Sequence, residues 1–213
     1  MNIFICGDST AASYDQNETL MVGWGQVLHE FLPGVGIFNH AIAGRSTKSF
    51  LAEGRLQELD GRIHPGDLVL IQFAHNDENV KPERHTEPWT TYSDNLKTFA
   101  DFVRLRDGKP VFLTPICMRV WENGCLAETH GEYPDAMRTQ ARKLSVPLID
   151  IYRESFRIVS EAGEEGSKAL FLHLAPGEDS RYPQGLQDNA HTSRTGALKF
   201  AACTAQGLLK MGN

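Results

Sequence analysis

Asp67-Leu68-Val69-Leu70-Ile71-Gln72-Phe73 places four aliphatic residues in unbroken succession, without the polar residue at every second position that a half-wet strand shows. A strand that is apolar throughout is buried on both faces, as in a parallel sheet covered by helices. Four other short apolar runs recur along the chain: Asn2 to Cys6, Val35 to Ala41, Pro110 to Thr114 and Val146 to Ile151. Five buried strands are therefore expected.

Helical patterns lie between and after them. Val27, Leu28, Phe31 and Leu32 make one apolar stripe. Tyr92, Leu96, Phe99 and Val103 make another, and Met137, Ala141 and Leu144 a third that opens with Pro134 in its first turn. A last helix over 193–210 carries Ala197, Ala201, Ala205 and Leu208 on one side, with Thr192 as its N-cap and Gly212 beyond its end. The order βαβαβαβαβα predicts an α/β fold: a three-layer α/β/α sandwich around a five-stranded parallel sheet. Right-handed crossovers put every strand's C-terminal end on one rim, where such sheets bind ligands. Two long polar segments, Lys81 to Pro88 and Val120 to Gly131, are expected to frame that rim.

With 213 residues and 41% hydrophobic content, the chain can bury one sizeable core, so a single domain over 1–213 is expected. A net charge of −6 disfavours nucleic acid or an anionic membrane as partner. No run approaches the ~18 apolar residues of a membrane helix, and no secretory leader is expected ahead of the first strand. Cys6, Cys117, Cys125 and Cys203 lack CxxC spacing and read as scattered small apolar residues. A soluble protein of the reducing cytoplasm is expected, its oligomeric state open.

The chemistry-bearing residues fall at predicted strand ends. Ser9, in Gly7-Asp8-Ser9-Thr10, follows the first strand by three residues, with Ala11 and Ala12 leaving the approach open. After the second strand, Gly44 in Ala43-Gly44-Arg45-Ser46 can bring its backbone N–H close to a ligand. After the third, Asn76 in His75-Asn76-Asp77 offers a side-chain amide. Near the C-terminus, Asp188 and His191 are one helical turn or a tight loop apart, so the carboxylate can hold Nδ1 while Nε2 faces Ser9. Each segment alone is also readable as a turn or a helix cap. Together they supply a nucleophile (Ser9), a base (His191), an orienter (Asp188) and candidate oxyanion donors (Gly44 N–H, Asn76 amide) for acyl transfer.

No HExxH or paired metal spacing occurs among the histidines. Gly34-Val35-Gly36 precedes a strand rather than following one, so neither a metal nor a nucleotide cofactor is expected.

In this order the four blocks resemble the SGNH, or GDSL-like, hydrolase superfamily. Ser9, Gly44, Asn76 and His191 fill its four name positions. The third block usually begins with Gly and here begins with Ala74, whose methyl either narrows the pocket or shifts the loop. Gly-Asp-Ser-Thr, Gly-Arg-Ser, His-Asn-Asp and the segment from Thr129-His130-Gly131-Glu132-Tyr133-Pro134 to Val146-Pro147-Leu148-Ile149-Asp150 are similar to the rhamnogalacturonan acetylesterase branch. The resemblance implies a flavodoxin-like fold, a Ser9–His191–Asp188 triad, oxyanion donors from the Ser9 and Gly44 backbones and the Asn76 amide, and deacetylation of plant cell-wall oligosaccharides through an acyl-enzyme. An esterase for xylan, other O-acetyl sugars or lipids is an alternative, as is a non-catalytic carbohydrate-binding module. The expected sugar-binding residues are His75, Asp77, Arg119, Trp121, His130 and Tyr133. Two of them, Trp121 and Tyr133, can equally pack, and Arg119 can pair with Glu122 or Asp150.

Overall fold

The computed structural model describes residues 1–211, so Gly212, expected beyond the last helix, lies outside the described residues. In chain order the elements are β1 (Asn2–Gly7), α1 (Trp24–Val27), β2 (Gly36–Asn39), α2 (Thr47–Ala52), β3 (Leu68–Gln72) and α3 (Ser93–Arg104). They continue with β4 (Lys109–Leu113), β5 (Trp121–Glu122), β6 (Cys125–Leu126), α4 (Tyr133–Leu144), β7 (Leu148–Ile149) and α5 (Ile151–Gly166). The chain closes with β8 (Phe171–Leu174), β9 (Leu186–Thr192) and α6 (Arg194–Met211). Five strands form a parallel sheet in the order β2-β1-β3-β4-β7.

The apolar runs feed two cores because successive strand residues point to opposite faces. Ile3, Ile5, Leu70, Val111 and Leu113 meet Trp24, Val159, Phe200 and Ala201 from α1, α5 and α6. Phe4, Cys6, Val69, Ile71 and Phe112 meet Phe50, Leu96, Phe99 and Met137 from α2, α3 and α4. The resulting layers are α/β/α, as the unbroken apolar runs require.

Several local expectations need correction. The Val27–Leu32 stripe yields only a four-residue α1 followed by a tighter turn over Leu28–Glu30, because Pro33 and Gly34 stop it. The run over 146–151 gives a strand of two residues, since Asp150 accepts the Arg153 N–H and caps α5. That helix was absent from the sequence reading, as was the antiparallel pair β8–β9. Ser193, not Thr192, caps α6: its Oγ accepts the Gly196 N–H at 3.3 Å, while the Thr192 hydroxyl donates to the Val22 carbonyl at 2.6 Å. Ala74 is fully buried in the second core, so its methyl does not narrow the pocket. No helix among the described residues is long and apolar enough to cross a membrane.

Candidate active site

The β1 strand ends at Gly7, where a Cβ would lie 3.0 Å from the Gln72 carbonyl oxygen and 3.2 Å from the Ala11 Cβ. A side chain there would push against the β3 backbone and the Ala11 methyl, which would have to give by a few tenths of an ångström. Asp8 is buried directly after it, and its Oδ1 accepts from the Thr10 N–H at 2.9 Å and the Thr10 hydroxyl at 2.7 Å. Burial pushes the Asp8 carboxyl above its usual range, against the pull of those two donors. The Ala11 and Ala12 N–H groups donate to the Asp8 carbonyl at 3.2 Å each, and the Tyr14 hydroxyl donates to the Ser9 carbonyl at 2.8 Å. This tight turn fixes Ser9 at the C-terminal rim.

Asp188 and His191 arrive on β9. Pairing runs Leu172 to Asp188 and then Phe171 to Thr192, so residues 189–191 are extruded from the ladder as a bulge. Of the two expectations, a helical turn or a tight loop, the structure has the loop, set inside a strand as a bulge. Asp188 Oδ1 accepts the Ala190 and His191 N–H groups at 2.9 Å each and closes the bulge. Its Oδ2 lies 2.7 Å from His191 Nδ1, and His191 Nε2 lies 2.9 Å from Ser9 Oγ. A carboxylate only accepts, so the Nδ1 proton points at Asp188 and Nε2 is left to accept from the serine hydroxyl.

Both titrations follow from this contact. Burial alone would raise the Asp188 carboxyl, but the His191 ring and the two backbone N–H groups outweigh it and hold it at about 2. The Asp188 hydrogen bond raises His191 above the usual imidazole value, against the opposing effect of burial.

The bulge is anchored from outside. The Arg119 N–H donates to the Asn189 carbonyl at 2.8 Å, and the Asn189 side-chain oxygen accepts from Arg119 Nη1 at 3.2 Å and His173 Nε2 at 2.8 Å. Arg119 Nε also donates to Ser167 Oγ at 3.0 Å, and its Nη2 to the Glu164 carbonyl. Sequence reasoning missed His173 and Asn189, whose only signal was that Asn189 stands inside the Asp-x-x-His block.

The Gly44 turn meets the Ser9 turn through the Ile42 N–H, which donates to the Gly7 carbonyl at 3.0 Å. Gly44 has φ +79°, a conformation costly for a residue with a Cβ. Among the described residues, neither the Ser9 nor the Gly44 N–H donates to a protein acceptor. Asn76 Nδ2 spends one proton on the Arg45 carbonyl at 3.2 Å, leaving the other free, while its Oδ1 accepts from Arg84 Nη1 at 3.3 Å. The segment 81–88 therefore borders the site, as expected.

The expected sugar-binding set is largely scaffold. Asp77 is buried and accepts from the Thr47 N–H and hydroxyl and the Thr86 hydroxyl; burial pushes its carboxyl up to about 7. Tyr133 is buried with its hydroxyl on the Asp77 and Thr86 carbonyls. His130 is buried at φ +69° with Nδ1 3.1 Å from Glu78 and Nε2 2.9 Å from the Ile116 carbonyl. Arg119 is buried and holds the bulge; Asp150 pairs with Arg138 instead. Trp121 packs against the core with its indole N–H buried. These five side chains are held by the protein rather than offered to a ligand. His75 is half-buried, its ring edge-on to His130 at 4.2 Å between centroids.

The sequence pattern of the GDSL-like lipase/acylhydrolase family matches residues 5–197. The chain belongs to this family. Within curated relatives it is 43% identical to a rhamnogalacturonan acetylesterase of Bacillus subtilis (strain 168), over 100% of this chain and 91% of that protein. It is 41% identical to a rhamnogalacturonan acetylesterase of Emericella nidulans, over 97% of this chain and 86% of that protein. The crystal structure of the Bacillus subtilis protein YxiM superposes with a TM-score of 0.84 at 23% identity, covering 99% of this chain and 56% of that longer one. The family fold is thus present from β1 to α6.

Proposed function

We propose that this chain is a serine esterase that removes O-acetyl groups from rhamnogalacturonan oligosaccharides. The observation that carries the reading is the Asp188–His191–Ser9 relay, with separations of 2.7 and 2.9 Å. Full-length identity of 43% to a rhamnogalacturonan acetylesterase supports the substrate. Ser9 Oγ attacks the acetyl carbonyl while His191 Nε2 takes its proton. The Ser9 and Gly44 N–H groups and the free Asn76 amide proton receive the developing oxyanion. His191 then protonates the departing sugar oxygen. Water, deprotonated by the same imidazole, splits the acetyl-Ser9 ester, and His191 returns that proton to Ser9 Oγ as acetate leaves. Asp188 keeps the imidazole in the required tautomer and stabilises its charge.

The four cysteines are unpaired, which supports a reducing compartment and, with it, short oligosaccharides as substrates rather than the wall polymer. Acetate release from acetylated rhamnogalacturonan oligosaccharides tests the reading. Turnover should exceed that on acetylated xylo-oligosaccharides, and Ser9→Ala should lower it by at least about 10³-fold. Equal rates for Ser9→Ala and wild type would overturn it.

A further inference from the structure

Among the buried and half-buried arginines of the described residues, Arg84 and Arg119 alone pair with no carboxylate. Arg119 is buried against side-chain and carbonyl oxygens, and Arg138 is shared between Asp135 and Asp150. Arg84 is half-buried, yet its one protein acceptor is the neutral Asn76 amide oxygen at 3.3 Å, with no carboxylate in ion-pair range among the described residues. A Cβ built on Gly44 would lie 3.4 Å from Arg84 Nη2 and 3.7 Å from Cζ, so the guanidinium lies over the Gly44 backbone. It therefore borders two of the three proposed oxyanion donors and keeps most of its five donors free. Nearby charge adds to it: Lys48 Nζ donates to the Pro82 carbonyl of the same segment at 2.6 Å, while Arg45 is neutralised by Glu53 at 3.1 Å.

A planar cation left without a counter-ion at the edge of a site is matched by a planar anion, which it binds through two parallel N–H donors. We propose that Arg84 is the receptor for a carboxylate of the substrate, selecting acetyl groups carried on or beside a uronate residue. The assignment rests on the proposed function, because galacturonate supplies such a carboxylate. A neutral acetylated sugar leaves the guanidinium unpaired and loses that contact. Arg84 also holds the Asn76 amide in place, so its variants are read through the preference between two substrates rather than through a single rate.

The test compares acetylated rhamnogalacturonan oligosaccharides bearing free carboxylates with the same oligosaccharides after methyl esterification of those carboxylates. In the wild type, esterification should lower kcat/KM at least tenfold, chiefly through KM. In Arg84→Gln the two forms should differ by threefold or less. A wild type that treats both forms within threefold, or an Arg84→Gln enzyme that keeps the tenfold preference, would overturn the assignment. The wild-type comparison reads out even if the variant folds poorly. Hydrolysis of p-nitrophenyl acetate with turnover of neither pectic form would overturn the proposed function itself, and this assignment with it.

Discussion

A serine hydroxyl is a weak nucleophile until a neutral imidazole accepts its proton, so the protonation state of His191 sets the working pH range. Because its hydrogen bond to Asp188 raises His191 above the usual value near 6.5, the imidazole is still charged at a pH where a free histidine is neutral. Activity should therefore fall on the acid side at a higher pH than an unperturbed histidine gives. Asp188→Asn removes the carboxylate, so kcat should drop by roughly 10⁴ and the acid limb of the residual activity should move down in pH. A kcat/KM profile between pH 5 and 9 checks both shifts; an acid limb unmoved by Asp188→Asn would contradict the linkage. These residues were readable in the sequence because their chemistry is carried by residue type and short spacing. Arg119, expected to face the sugar or to pair with Glu122 or Asp150, instead holds Ser167, Glu164 and Asn189. Sequence shows that a guanidinium is available, but its acceptors on Ser167, Glu164 and Asn189 come from segments 45 to 70 residues away.

At the scale of elements, apolar periodicity was a good guide wherever an element buries a regular stripe. The α3, α4 and α6 helices and the central strands follow it closely. It failed for α5, whose buried face includes Ser155, a polar residue made tolerable by the Cys117 N–H at 3.0 Å and the Tyr152 carbonyl at 3.0 Å. It failed also for β8–β9, since β9 alternates half-buried and exposed residues rather than running apolar. The pair matters because α6 packs against its entry. A Cβ on Gly196 would lie 2.0 Å from the Leu170 carbonyl oxygen and 2.9 Å from its carbonyl carbon, both backbone atoms that cannot swing away. Gly196→Ala should force α6 off this strand entry and cost about 1–3 kcal/mol or more. Thermal melting reads that as a fall of several degrees; an unchanged Tm would mean that α6 is not held so closely.

Over the whole molecule, the parallel sheet presents Ser9 at its rim and the separate antiparallel β8–β9 pair delivers His191 to it, so that residues 182 positions apart meet. The β1 strand lies inside the sheet between β2 and β3, so the Ser9 turn inherits the rigidity of a strand buried on both faces. The His191 bulge is held by Arg119 and His173 on one side and by the Thr192–Val22 contact on the other. Sequence order already implied one functional rim, but not the bulge that carries the histidine to it, because register depends on a pairing between strands that neither strand shows alone. The central claim is that this convergence activates Ser9, and active-site labelling with a fluorophosphonate, mapped by peptide mass spectrometry, tests it most directly. The account predicts a single phosphonylated residue, Ser9, with labelling slowed by at least about 10²-fold in His191→Ala; labelling at another residue, or at an unchanged rate in His191→Ala, would contradict it.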